Sequence, residues 1–195
     1  MTNSWTDPAN IRFDERFYTE RLLMRLPLPG DGQAVYEAVQ DSLPELRPWM
    51  IWAHRHQSLE ETERLVEDSH AAFLDRTDLR FHAFLRSTGK LVLCCGLHRI
   101  DWDARKFEIG YWLRTPYAGC GYATEAARGL EQLAIRQLRA NRIEIRVDSN
   151  NVRSIKVAER LGYTLEGTLR QDGWNAAHTA LRNTLVFAKV RGTEF

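Results

Sequence analysis

The chain has 195 residues and a formal net charge of +1, with 44 per cent hydrophobic and 27 per cent charged residues. That length suits one domain whose core needs no disulfide staple, and the near-neutral balance argues against a broad basic surface for nucleic acid. No apolar run approaches the roughly 20 residues of a membrane helix, polar residues 1–16 lack the apolar stretch of a secretory signal, and three cysteines give neither a disulfide framework nor metal-ligand spacing. The expectation is a single domain over 1–195 in a reducing cytoplasm.

Residues 21–26 read as a strand that stops at Pro27, Pro29 and Gly30. Ala34, Val35, Ala38 and Val39 then mark one face of a short helix, and a capping-box pattern at Ser58 and Glu61 opens a helix towards Leu74. Residues 81–86 and 91–100 read as strands joined at Thr88-Gly89-Lys90, and 107–113 as the next strand. From Gly121 the period changes. Ala123, Ala126, Ala127, Leu130, Leu133, Ala134 and Leu138 fall on one helical face. A strand at 142–148 follows, then a helix over 152–161 closed by Gly162, then apolar strands at 163–169 and 184–190. Consecutive strands around one strand–helix–strand crossover predict an α/β fold with a mixed sheet.

The most informative segment runs from Trp112-Leu113-Arg114 through Ala118-Gly119-Cys120-Gly121-Tyr122-Ala123 to Thr124-Glu125-Ala126. It sets Gly-x-Gly between a strand and a strongly periodic helix. Glycine allows a tight turn and close backbone approach, and the free N–H groups of the helix's first turn favour an anion such as a pyrophosphate. A simple strand-to-helix turn is the competing reading. The third glycine of a dinucleotide fingerprint is replaced by Thr124, and the lysine of a phosphate-binding P-loop is missing.

The run Glu108-Ile109-Gly110-Tyr111-Trp112-Leu113, the Gly119-x-Gly121 loop and its helix resemble the GNAT superfamily of N-acetyltransferases. So does Asn151-x-x-Ser154-x-x-Val157-Ala158-Glu159-x-Leu161-Gly162-Tyr163, followed by Leu165-Glu166-Gly167. Together these motifs look like the RimJ/RimL-type branch, which acetylates ribosomal-protein N-termini, and Trp49-Met50-x-Trp52 followed by Ser58-x-Glu60-Glu61 resembles that branch too. The resemblance covers about 18–190. It implies a GNAT fold: a mixed, mostly antiparallel sheet of about six to seven strands flanked by helices, with splayed central strands. It also implies acetyl-CoA as co-substrate, bound by Trp112, Leu113, Arg114, Ala118, Gly119, Cys120, Gly121, Tyr122, Ala123, Asn151 and Ser154. Pro116 departs from the family's usual Gln or Arg three residues before the first glycine, and removes one N–H donor.

Transfer of acetyl to an amine needs a neutral nitrogen, an oxyanion site and an exit for the thiolate. Glu108 matches the general-base glutamate of the histone-acetylating branch, against a plain strand glutamate; His98, Asp101 and Asp172 are alternative bases. The oxyanion donor implied by the resemblance is a backbone N–H around Trp112 and Leu113. The family's usual tyrosine acid falls at Ala158 and is absent, while Ser154 stands where RimL-like members have a serine proposed to bond the CoA sulfur. Capping of the helix by Asn151 and Ser154 is the competing role. Cys94 and Cys95 read as core, Cys120 as a loop position where the main chain matters, and direct transfer is preferred to a cysteine intermediate. Trp49, Trp52, Trp102 and Trp174 are packing residues or walls of an acceptor pocket. The reading is an acetyl-CoA-dependent N-acetyltransferase acting on a primary amine, a protein N-terminus first, with no metal and with a homodimer as the default assembly. A small-molecule amine acetyltransferase and a non-catalytic acyl-CoA-binding module are the rivals.

Overall fold

The computed structural model describes residues 8–55 and 57–195. Among these residues eight strands, β1 (Arg16–Tyr18), β2 (Leu22–Arg25), β3 (Leu79–Leu85), β4 (Leu91–Asp101), β5 (Lys106–Leu113), β6 (Arg142–Asp148), β7 (Thr164–Trp174) and β8 (Leu181–Val190), form one sheet. Their order is β1-β2-β3-β4-β5-β6-β8-β7. Every neighbouring pair is antiparallel except β5 and β6. Those two are parallel because helix α4 (Tyr122–Arg136) carries the chain across between them.

Helix α1 (Gly32–Gln40) and the 16-residue α3 (Leu59–Leu74) pack on each other; the single turn α2 (Leu43–Leu46) and α5 (Val152–Arg160) complete the helices. The two sides of the sheet follow from residue alternation. His82 bonds Asp31 at the start of α1, whereas its neighbour Phe81 packs on Phe17, which lies against Gly129 of α4. So α1 and α4 cover opposite faces.

The local signals act where the sequence puts them. Ser58 Oγ accepts from the Glu61 N–H at 3.1 Å and the Glu61 carboxylate accepts from the Ser58 N–H at 2.8 Å, closing the capping box of α3. The apolar stripe of α4 supplies Ala126, Ala127, Leu130, Leu133 and Ala134 to the core, where they meet Phe107, Ile109 and Ile143. Gly162 closes α5 at φ +75°, a left-handed position that suits glycine.

The sheet has one strand more than expected, β1, which is three residues long and too short to show a period. Strands β7 and β8 also run further than predicted, and Asp172 therefore lies within β7 and not on a loop. Strand β7 is the sheet edge and is exposed along almost its whole length, so no buried–exposed alternation marked its second half.

Candidate functional site

Strands β5 and β6 pair only at Lys106–Arg142, Phe107–Ile143 and Glu108–Glu144. Beyond Glu108 they part: β5 continues to Leu113 on β4, and β6 continues to Asp148 on β8. The fork opens into a groove of about 1470 Å³. Of the residues expected at the cofactor, Trp112, Leu113, Ala118, Gly119, Cys120, Gly121, Tyr122, Ala123, Asn151 and Ser154 all line it, as does Glu108. Arg114 does not; its guanidinium is held by Asp41 at 2.6 Å.

The glycine loop sits at the open end of the fork. Gly119 and Gly121 have φ of +80° and +83°, and Gly121 is the N-cap of α4. No protein atom lies within 4 Å of where a Gly119 Cβ would be, so that space belongs to the groove. The first backbone bond of α4 runs from the Glu125 N–H to the Gly121 carbonyl, which leaves the earlier N–H groups of the turn to a ligand. Arg21, which lines the same groove, holds the loop in place. Arg21 donates to the Cys120 carbonyl at 3.0 Å, pairs with Glu125 at 2.6 Å and lies 4.3 Å over the Tyr122 ring. Its partners are about a hundred residues away, so nothing local announces it. Along the groove's rim stand Arg128 and Arg136 from α4 and Arg153, Lys156 and Arg160 from α5, with no ion pair among the described residues. Such a rim suits a phosphate-rich ligand.

Glu108 occupies the vertex. Its side chain is 17 per cent exposed, and Oε2 is buried without a hydrogen-bond partner; Arg99 Nε stands 3.5 Å away. Burial raises its pKa, and the charges of Arg99 and Arg146 oppose that rise without cancelling it. The alternatives are engaged elsewhere. His98 bonds Asp78 through Nδ1, and its ring fills the space beside Gly96 and Gly110. Asp101 accepts from the Ala104 N–H in the β4–β5 turn, and Asp172 pairs with Arg146 at 3.3 Å. None of the three lines the groove.

On the face that Glu108 shares, Trp112 packs against Trp52 with ring centres 5.8 Å apart, and Trp49 and Met50 line the groove beside them. Trp102 does not take part: its Nε1–H donates to the Arg76 carbonyl and its ring packs on Phe107. Trp174 is exposed and stacks on His178.

Across the fork, the Tyr111 hydroxyl lies 2.9 Å from Ser154 Oγ. Burial pushes the Tyr111 pKa up to about 12, against the lowering effect of the Ser154 bond, so this phenol stays protonated and able to donate. The Asn151 side chain accepts from the Ser154 N–H at 3.1 Å and caps α5. The capping role and the hydroxyl role of this pair thus divide: Asn151 caps, and Ser154 keeps its Oγ for Tyr111 and the groove. In the sequence Tyr111 is one residue of a motif, and a spacing of 43 residues hides its partner.

Residues 21–164 match the profile of the acetyltransferase (GNAT) domain. The chain belongs to the GNAT acetyltransferases. It is 31 per cent identical over 152 residues to YdaF of Bacillus subtilis (strain 168), a provisionally named ribosomal N-acetyltransferase, covering 77 per cent of this chain and 82 per cent of that one. To the ribosomal-protein-serine acetyltransferase of Escherichia coli (strain K12) it is 26 per cent identical over 153 residues, covering 78 and 84 per cent of the two chains. The solved structure of RimL, a ribosomal L7/L12 α-N-protein acetyltransferase in complex with coenzyme A, superposes with a TM-score of 0.83 at 20 per cent identity, over 90 per cent of this chain and 98 per cent of that one.

This GNAT chain is therefore an N-acetyltransferase of the RimJ/RimL type, and its co-substrate is acetyl-CoA. The mixed, mostly antiparallel sheet expected from the motifs is present, with eight strands instead of six to seven. No helix among the described residues is long and apolar enough to cross a membrane.

Proposed function

We propose that this enzyme acetylates the α-amine of a polypeptide N-terminus by direct transfer from acetyl-CoA, in the cytoplasm. One observation carries the reading: a desolvated carboxylate, with an oxygen that has no hydrogen-bond partner, stands at the vertex of a fork whose open end carries the Gly119-Cys120-Gly121 loop. In this reading the N–H groups of 119–123 hold the pyrophosphate, the Ala118 N–H being taken by the Thr115 carbonyl at 2.9 Å, and the cationic rim of α4 and α5 faces the remaining phosphate.

Glu108 takes the proton of the incoming ammonium, directly or through one water, so that the neutral amine attacks the thioester carbonyl. A backbone N–H freed by the fork near Trp112 and Leu113 receives the developing oxyanion. Collapse of the tetrahedral intermediate breaks the C–S bond; the extra proton on the attacking nitrogen passes through water to the departing thiolate, which leaves as the thiol while the Ser154 hydroxyl donates a hydrogen bond to its sulfur. Tyr111, neutral at working pH, donates to Ser154 Oγ and so turns the serine's own proton towards the sulfur. An α-amine suits this equipment. With a pKa near 8 it is about one-tenth neutral at pH 7, whereas lysine is neutral only about once in a few thousand. The names of the RimL and YdaF relatives support the same acceptor class.

The test is a screen of N-terminal peptides, lysine peptides and small amines, following free-thiol release from acetyl-CoA and mass gain on the acceptor. Acetylation at the peptide α-amine is the expected result. Faster turnover of small amines would replace this reading with a small-molecule acetyltransferase, and tight acetyl-CoA binding with no acceptor turned over would leave a binding module.

A further inference from the structure

Among the described residues four buried side-chain polar atoms lack a hydrogen-bond partner, and three of them share one face of the sheet: Glu108 Oε2, Thr184 Oγ1 and Arg182 Nε. The register fixes this. Glu108 pairs with Glu144; Glu144, Arg146 and Asp148 pair in turn with Ala188, Val186 and Thr184. Alternate residues of β8 carry the same face on to Arg182. It is the face on which Trp112 and Trp52 lie, opposite α4.

The carboxylates beyond Glu108 on this face are engaged. Glu144 and Glu166 hold Arg142, Asp172 holds Arg146, and Asp148 accepts from the Asn150 N–H. Arg182 lines the groove and has no ion pair among the described residues. Arg146, which also lines the groove, has one contact of 3.3 Å to Asp172. A guanidinium whose Nε is sealed from water yet unpaired is destabilising unless something completes it. The group that fits is a carboxylate brought in by the acceptor.

We propose that Arg182, with Arg146 on the way to it, binds an acidic side chain of a peptide acceptor a few residues after the amine that is acetylated. This rests on the reading of Glu108 as the amine end of the site. From the Glu108–Glu144 rung to Arg182 is four residues along β6 and two along β8, about 20 Å of strand at roughly 3.4 Å per residue. Long side chains reaching in from both ends shorten the span, so an extended peptide meets Arg182 with its third to fifth residue. A free amino acid or a small amine is too short to touch both ends. The acceptor class is therefore an acidic N-terminal segment.

The experiment uses six-residue peptides with an N-terminal serine, in which aspartate replaces asparagine at one position at a time from two to six. Values of kcat/KM are read by thiol release on the wild type, Arg182→Gln and Arg182→Lys. Aspartate at one of positions three to five raises kcat/KM about tenfold over the all-asparagine peptide in the wild type. Arg182→Gln erases that advantage and leaves the all-asparagine peptide unchanged; Arg182→Lys keeps part of it. Equal rates on aspartate and asparagine peptides, or an advantage that survives Arg182→Gln, overturn the proposal. Should Arg182→Gln not fold, the wild-type comparison at low and high salt decides instead, since an ionic preference shrinks with salt and a shape preference does not. Failure of every peptide to react while acetyl-CoA still binds by calorimetry would overturn the peptide-acceptor reading itself, and this inference with it.

Discussion

Replacing Glu108 by glutamine removes the proton acceptor at the vertex while keeping the shape of the side chain. If Glu108 takes the ammonium proton, the wild type delivers a neutral amine at any pH where this carboxylate is ionised. The variant must wait for the fraction that arrives neutral by itself. For an α-amine of pKa near 8 that fraction is about one-tenth at pH 7 and about one-hundredth at pH 6. The loss in kcat/KM is then about tenfold at pH 7, or roughly 1.4 kcal/mol, about a hundredfold at pH 6, and close to nothing by pH 10. On a lysine acceptor the same substitution costs a few thousandfold at pH 7. The sign of the wild-type acid limb follows from burial. Desolvation raises the Glu108 pKa above the ordinary carboxylate value, so activity falls as pH drops through that raised pKa. The assay is a pH–rate profile of both proteins on one N-terminal peptide, with acetyl-CoA affinity checked by calorimetry and expected unchanged. A ratio that stays constant across pH would refute the reasoning and return Glu108 to a supporting role in the strand.

Gly119→Val and Gly121→Val put a branched side chain at a positive φ, the first into the open groove and the second against the Arg21 guanidinium that holds the loop; each should cost about 1–2 kcal/mol of stability and weaken CoA binding more than tenfold by calorimetry, and equal affinity in a folded variant would remove the loop from the site. Tyr111→Phe and Ser154→Ala should each lower kcat several-fold, about 1 kcal/mol, with KM for acetyl-CoA unchanged, and the double variant should be no worse than Ser154→Ala; additive losses would show two independent roles. Asp31, at the start of α1, joins Arg25 of β2 at 2.6 Å and His82 of β3 at 2.9 Å, and these bonds outweigh its burial to hold its pKa well below the carboxylate range. This contribution is present above the unfolded pKa near 3.9 and is lost as pH falls towards the folded value, so Asp31→Asn should cost about 3 kcal/mol at pH 7 in denaturant unfolding and less in acid.

The parts of the fold that were legible are those whose cause is local. The capping box of α3, the glycine that closes α5, the Thr88-Gly89-Lys90 hairpin and the apolar stripe of α4 each act within a few residues. Strand β1 was not legible because three residues carry no period, and the second half of β7 because both its faces meet solvent. In the groove, the residues of the glycine loop and of the α5 turn were readable as motifs. Tyr111, Arg21 and Arg182 were not, for a common reason. What makes each of them matter is a partner, or the lack of one, set by the sheet: Ser154 lies 43 residues from Tyr111, and Glu125 lies 104 from Arg21. Arg182 stands out because the packed sheet leaves its buried Nε unanswered.

Topology also explains why the loop and the fork coincide. An antiparallel pair joined by a hairpin cannot open at the turn end, whereas a parallel pair is tied only through its crossover and can part beyond its last rung. The crossover that makes β5 and β6 parallel must begin where β5 ends, so the N-terminus of its helix falls at the open end of the fork. The positive end of the α4 dipole and its unpaired N–H groups therefore face the place where the strands have released their own backbone groups. One connection thus sets a helix N-terminus beside a row of released strand donors. Because Arg21 and Glu125 fasten the start of α4 to the β2 side of the sheet, the loop stays with β5 while β6 diverges. A single parallel pair in an otherwise antiparallel sheet is enough to set the glycine loop at one end of the fork and Glu108 at the other, where the strands meet again.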